Sequence, residues 1–132
     1  VIGSDGWARA PYGPLGKDKP HPRSYGTFPR MLGRYVREER IMSLERAIEK
    51  MTSLTARKFG IYGRGQIKEG FFADLSVFDP ERVIDRATWT EPHQYPEGIP
   101  YVIVNGVPVI HEGSHTERLP GRILRKRQTI IL

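Results

Sequence analysis

Gly60-Ile-Tyr-Gly-Arg-Gly-Gln-Ile-Lys-Glu-Gly-Phe-Phe-Ala-Asp-Leu-Ser-Val-Phe-Asp-Pro80 divides the chain into a helical first part and a second part of short strands and turns. Its glycines at 60, 63, 65 and 70 take positive φ without steric cost, so the backbone can turn repeatedly before the strand that follows. Ala73, Leu75 and Val77 then alternate with Asp74, Ser76 and Phe78, the period of a half-buried strand, and Asp79-Pro80 stops it. Alone, the segment reads as a helix-to-strand connector.

Upstream, Thr27 is placed to cap a helix that tolerates Pro29 in its first turn, with Phe28, Met31, Leu32, Tyr35 and Val36 on one face. Ser43 caps a second helix with Leu44, Ala47, Ile48, Met51 and Leu54 as its stripe. Thr55 starts a further turn that ends at Gly60 as a C′ glycine. These stripes are core-facing surfaces and carry no chemistry. Downstream, Tyr101-Val-Ile-Val-Asn-Gly-Val-Pro-Val-Ile110 is a hairpin, because Asn105-Gly106 suits a type I′ turn. Pro108 cannot donate to a ladder, so its strand should lie at an edge or present that position outward. Val83–Trp89 reads as a brief strand or turn, Gly113-Ser-His-Thr as loop, and Arg122-Ile-Leu-Arg as one more short strand.

At the other end, Val1-Ile-Gly-Ser is an apolar run that stops at Asp5-Gly6. An acidic residue after a buried strand sits where parallel α/β folds keep their chemistry, although Asp-Gly is equally an ordinary turn. Residues 7–26, rich in Pro and Gly, form a long irregular loop, a length uncommon unless functional or disordered. Within it, His21-Pro22-Arg23 sets an imidazole and a guanidinium on a stiff backbone, as an anion site or as a surface corner.

Composition narrows the class. A chain of 132 residues suits one domain, yet 38% hydrophobic content with 14 Gly and 11 Pro is lean for a compact core. The net charge is +6, all of it carried by the first sixty residues, while Arg118, Arg122, Arg125, Lys126 and Arg127 form a basic tail. Without RNP-like aromatics or a helix-turn-helix pattern, this charge describes solvated helix faces and argues against a nucleic-acid partner. No apolar run approaches a membrane span, and no signal peptide is expected at Val1. The absence of cysteine excludes disulfides and thiolate ligands and fits a reducing compartment such as the cytoplasm. The four histidines form neither His-x-His nor His-Glu-x-x-His, and there is no nucleophile elbow or Walker loop, so local motifs do not make a self-sufficient enzyme.

Together, Gly3-Ser-Asp-Gly6, His21-Pro-Arg-Ser-Tyr-Gly-Thr-Phe-Pro-Arg30 and Leu32-Gly33 resemble the C-terminal part of N-acyl-D-amino-acid deacylases (D-aminoacylases) of the amidohydrolase superfamily. Gly63–Asp79 resembles the superfamily's return into its β-sandwich, and Val104-Asn-Gly-Val-Pro-Val109 with Pro120-Gly-Arg-Ile-Leu-Arg125 continues the likeness. The Gly63–Asp79 pattern is shared with dihydroorotases and hydantoinases; the His-Pro-Arg…Gly-Thr-Phe-Pro-Arg pattern narrows the resemblance to deacylases.

The resemblance implies an α+β chain. Residues 1–60 would be the last strand, active-site loop and helices of a (β/α)8 barrel, and residues 61–132 part of a small β-sandwich with the basic tail. It implies a zinc-dependent hydrolase of linear amide bonds, with Asp5 as proton shuttle and possible metal ligand, and His21 and Arg23 as substrate-binding residues. The remaining zinc ligands would lie outside this chain, which reads as a C-terminal fragment, inactive alone and partnered by the missing N-terminal part of the enzyme. The competing readings are a dihydroorotase- or hydantoinase-like hydrolase and a stand-alone basic interaction module.

Overall fold

A computed structural model describes residues 1–125. Lys126 and Arg127 of the basic tail, with the residues after them, lie outside the described residues. Among the described residues the chain divides into two compact units, one of residues 3–47 and 78–99, the other of 1–2, 48–77 and 100–125.

The first unit is built on one long helix. It begins at Arg23, four residues before Thr27, and runs as α1 (Arg23–Arg30) before continuing as a π-helix, Met31–Glu38. The early start has a local cause: Pro22 holds φ at −51°, and the His21 Nδ1 accepts the Arg23 N–H at 3.0 Å, satisfying a first-turn donor. Thr27 is therefore interior, and its hydroxyl donates back to the Arg23 carbonyl at 2.9 Å. Pro29 falls mid-helix, where it supplies no N–H, and the wider π turn follows. Gly33 allows close packing, because a Cβ there would lie 2.4 Å from the Val83 carbonyl oxygen. The Arg37 guanidinium donates to that same carbonyl at 2.7 Å and to Pro80 at 3.1 Å. Met31, Leu32, Val83 and Ala87 are buried here, Val83 almost completely. After Val83, Ile84 makes one antiparallel bridge with Glu97, so 83–89 is a turn-rich segment with a single bridge.

Residues 1–10 contain no strand. A parallel barrel strand takes every ladder hydrogen bond from neighbouring strands, and none of the described residues pairs with Val1–Ser4. The long loop also differs from expectation: Pro14–Gly16 form a 3₁₀ turn, and α1 takes over at residue 23.

α2 (Leu44–Met51) follows, with the Ser43 hydroxyl accepting the Arg46 N–H at 3.3 Å as the cap. Its stripe is interrupted at Thr52 (φ −124°, ψ −94°), so Leu54 belongs to the next helix, α3 (Ser53–Phe59). The break thus comes three residues before Thr55. Gly60 closes α3 in the left-handed conformation (φ 65°, ψ 34°), the C-terminal role assigned to it.

The second unit holds a four-stranded antiparallel meander in the order β1 (Leu75–Val77), β2 (Tyr101–Val104), β3 (Val107–His111) and β4 (Ser114–His115). The Asn105-Gly106 turn has φ of 49° and 79°, as a type I′ turn requires. Ile103 faces Pro108 while Val102 faces Ile110, so Val109 is an extra bulged residue and Pro108 points to solvent. Glu112-Gly113, also at positive φ (50° and 79°), makes a second tight turn, and Gly113–Thr116 thereby supplies β4 instead of loop. Arg122–Arg125 is irregular and adds no strand. β1 departs from strict alternation, since Val77 is exposed on the same face as half-buried Leu75.

The folded stretch around residue 60–80 is fastened to this hairpin by Arg64. Its guanidinium meets the Asp74 carboxylate and Asn105 Oδ1 and lies 4.1 Å from the centre of the Phe72 ring. Asp74 also accepts the Asn105 N–H at 2.8 Å, and Asn105 Nδ2 donates to the Pro120 carbonyl at 2.7 Å.

Candidate functional site

Asp5 occupies a turn that few side chains adopt. Its φ is +48°, a left-handed value that Asp tolerates better than most residues. The Ser4 hydroxyl accepts the Gly6 N–H at 3.2 Å and closes the turn. Gly6 then lies directly against the start of α1: a Cβ there would be 2.9 Å from Ser24 Cα and 3.3 Å from the Arg23 carbonyl oxygen. This approach brings the Asp5 carboxylate to 2.7 Å from the Arg23 guanidinium. The Asp5 side chain is 86% exposed and that of Arg23 43%, so both charged groups are open to a third partner.

His21 belongs to the same cluster. Because its Nδ1 accepts the Arg23 amide, the neutral ring carries its proton on Nε2. Its ring meets the Trp89 indole edge-to-face, with centroids 4.4 Å apart. Asp5, Trp7, Arg9, Asp18, Lys19 and Arg23 line a hollow of about 340 Å³, in which Arg9 and Asp18 pair at 3.5 Å. His21 and Arg23 also line a second hollow, of about 450 Å³, walled further by Thr27, Arg30, Asp85, Ala87, Thr88 and Trp89. There the Arg30 guanidinium donates to the Asp85 carboxylate at 2.8 Å, with Asp85 only 9% exposed, and this hydrogen bond raises the Arg30 pKa. Gly26 makes room for this pair, since a Cβ would sit 3.1 Å from Asp85 Cβ.

Asp5 and the His21-Pro22-Arg23 corner, singled out separately in the sequence, are thus gathered in one place. Asp85 and Trp89 are additions that the sequence reading did not single out. They come from a segment some sixty residues away in the chain, and no local spacing marks them.

The sequence profile of the amidohydrolase family matches residues 5–110, beginning at Asp5 itself. The chain belongs to the amidohydrolase family. It is 48% identical over 126 residues to the D-aminoacylase of Alcaligenes xylosoxydans xylosoxydans, an alignment covering 96% of this chain and 25% of that protein. A solved D-aminoacylase, studied for its binuclear metal centre with one-metal activation and second-metal attenuation, superposes with a TM-score of 0.78 at 50% identity. That match covers 81% of this chain and 23% of the other. The N-acyl-D-glutamate deacylase of Bordetella bronchiseptica, solved with zinc and a phosphonate mimic of the tetrahedral intermediate, superposes with a TM-score of 0.73 at 51% identity. There the coverage is 83% and 22%. The chain therefore spans about a quarter of the length of the relatives it matches, and its mixture of helices with an antiparallel sheet is the fold of that part of the amidohydrolases.

A metal centre of the kind those relatives carry does not fit the residues present here by themselves. Among the described residues no group of three or more His, Cys, Asp or Glu side chains could hold an ion. Asp5 offers one carboxylate, and that carboxylate is paired with Arg23. A zinc site needs at least three protein ligands, and no such set is grouped among the described residues.

Proposed function

We propose that this chain is the C-terminal part of a zinc-dependent amidohydrolase that cleaves N-acyl-D-amino acids to a carboxylate and a free D-amino acid. The observation that carries the reading is the Asp5 turn. A carboxylate in a strained left-handed conformation, exposed and beside an arginine, opens the family match along a chain about half identical to deacylases. In this reading residues 1–60 are the end of the catalytic barrel and residues 61–132 the sandwich portion with its basic tail. Exposed apolar side chains at Trp7, Tyr62, Ile67 and Val77 agree with surface that a longer enzyme covers. A cytoplasmic location belongs to the same reading. The near-full-length likeness to deacylases favours it over a cyclic-amide hydrolase and over a stand-alone basic module.

Ligands from outside this chain would hold the metal, whose contribution is Lewis-acid activation of the amide. Asp5 supplies the proton transfer: its Oδ accepts a proton from the attacking water and returns it to the leaving nitrogen. Arg23, with His21 fixing its backbone, binds the carboxylate of the substrate. An exposed Arg–Asp pair holds its partners weakly, so Arg23 can transfer to that carboxylate at little cost.

Two measurements test the proposal. The isolated chain, analysed for bound metal and assayed on N-acyl-D-amino acids, is expected to hold no stoichiometric zinc and to show no turnover. Zinc-dependent turnover abolished by a chelator would refute the need for the remaining ligands. In the longer enzyme, Asp5→Asn is expected to abolish most of kcat, and wild-type turnover in that variant removes Asp5 from the mechanism.

A further inference from the structure

Trp89 is one of the most exposed large side chains among the described residues, at 75%, yet its ring is not idle. Its edge-to-face contact is with His21, whose Nδ1 accepts the Arg23 amide in the first turn of α1. The segment bearing Trp89 is itself braced. The Thr88 hydroxyl accepts the Glu91 N–H at 2.9 Å, the Thr88 N–H donates to the Glu91 carbonyl at 3.1 Å, and the two threonine hydroxyls of 88 and 90 lie 3.3 Å apart. It is also tied to both flanks of the His21 turn. Lys19 donates to the Thr90 carbonyl at 3.3 Å on one side, and Arg30 pairs with Asp85 at 2.8 Å on the other. A stiff loop thus presses an aromatic wall against an imidazole that orients the backbone of Arg23.

We propose that Trp89 is a positioning residue for the substrate carboxylate: it fixes the His21 ring, and through the His21–Arg23 hydrogen bond it keeps the Arg23 guanidinium aimed beside Asp5. The effect falls on binding, because Trp89 acts through His21 and the Arg23 backbone and alters only how well Arg23 is pre-aimed. Pre-aiming of this kind changes KM and leaves kcat nearly untouched. The inference rests on the substrate-binding role proposed for Arg23.

The test compares Trp89→Ala and Trp89→Phe in the full-length enzyme, by steady-state kinetics on an N-acyl-D-amino acid and by the amide resonance of Arg23. Trp89→Ala is expected to raise KM roughly 2- to 10-fold, the scale of one aromatic edge-to-face contact, with kcat within about twofold. It should also move the Arg23 amide resonance, and Trp89→Phe should restore both. Unchanged KM and an unmoved Arg23 resonance in the alanine variant would overturn the positioning role, as would a lower melting temperature as the sole effect. If the wild-type enzyme does not hydrolyse N-acyl-D-amino acids, the deacylase reading fails. The Arg23 resonance then still decides whether Trp89 positions it.

Discussion

Arg23–Asp5 and Arg64–Asp74 are the same chemical pair in opposite surroundings. In the first, the side chains are 43% and 86% exposed; in the second, 9% and 32%. Arg64 is also stacked on Phe72 and shared with Asn105, so its charge is enclosed on several sides and tied to the hairpin turn. Arg23 pairs with the Asp5 carboxylate on an open surface, and its backbone is fixed by His21. An exposed pair contributes little to stability and exchanges partners readily, whereas removing one member of an enclosed pair strands the other. In the proposed reading, solvent access separates an arginine that binds substrate from one committed to structure.

The largest expected effect lies at Asp5. Asp5→Asn should lower kcat of the complete enzyme by about 10²–10⁴-fold, the range for a lost general acid–base group. Asn also tolerates left-handed φ, so the turn and the melting temperature should persist. A residue that merely formed a turn would give the reverse pattern, a lower melting temperature with near-normal kcat in the folded fraction.

Arg64→Ala reverses the expectation. It leaves Asp74 partly enclosed with only the Asn105 N–H on its carboxylate and should destabilise the hairpin unit by about 2 kcal/mol, read by chemical denaturation of the chain. An exposed-pair outcome, below about 1 kcal/mol, would erase the contrast with Arg23.

The smallest effect sharpens the comparison on the recognition side. Tyr25, two residues after Arg23, packs edge-to-face with His93 and Tyr95, and its buried hydroxyl has no hydrogen-bond partner among the described residues. Burial raises its pKa above the ordinary 10.0, with Arg9 opposing. Because the folded value is the higher one, the associated stability is fully present below pH 10.0 and is lost as pH rises through the folded value. Tyr25→Phe should therefore be neutral or slightly stabilising near pH 7, by less than about 1 kcal/mol, and should lose part of the alkaline destabilisation. A clear loss of stability at neutral pH would mean that the hydroxyl is paired after all.

Much of the fold was legible because it depends on neighbours in the chain. Asn105-Gly106 encodes its turn through two residues that accept positive φ, Gly60 ends α3 in the same way, and Ser43 caps α2 with its own hydroxyl. Errors arose where local options were evenly matched. Thr27 is a good cap, but Pro22 and the His21 ring offered an earlier one. Gly113–Thr116 carried loop residues, yet Glu112 took positive φ and turned the segment into a strand. Val1–Ser4 has the composition of a barrel strand and no ladder partners among the described residues.

For the candidate site, the sequence by itself determined the chemical groups and the stiffness of their backbone: an Asp-Gly turn, and a His-Pro-Arg corner that resembles a deacylase motif. It also fixed the absence of cysteine and of His-x-His or His-Glu-x-x-His spacing. Only tertiary structure decided that Asp5 meets Arg23, that Trp89 walls His21, and that Arg64 is closed in by Asp74, Asn105 and Phe72. The physical reason is range. Dihedral preferences and caps act over a few residues, while solvent exclusion and charge pairing depend on segments that meet only when the chain has folded.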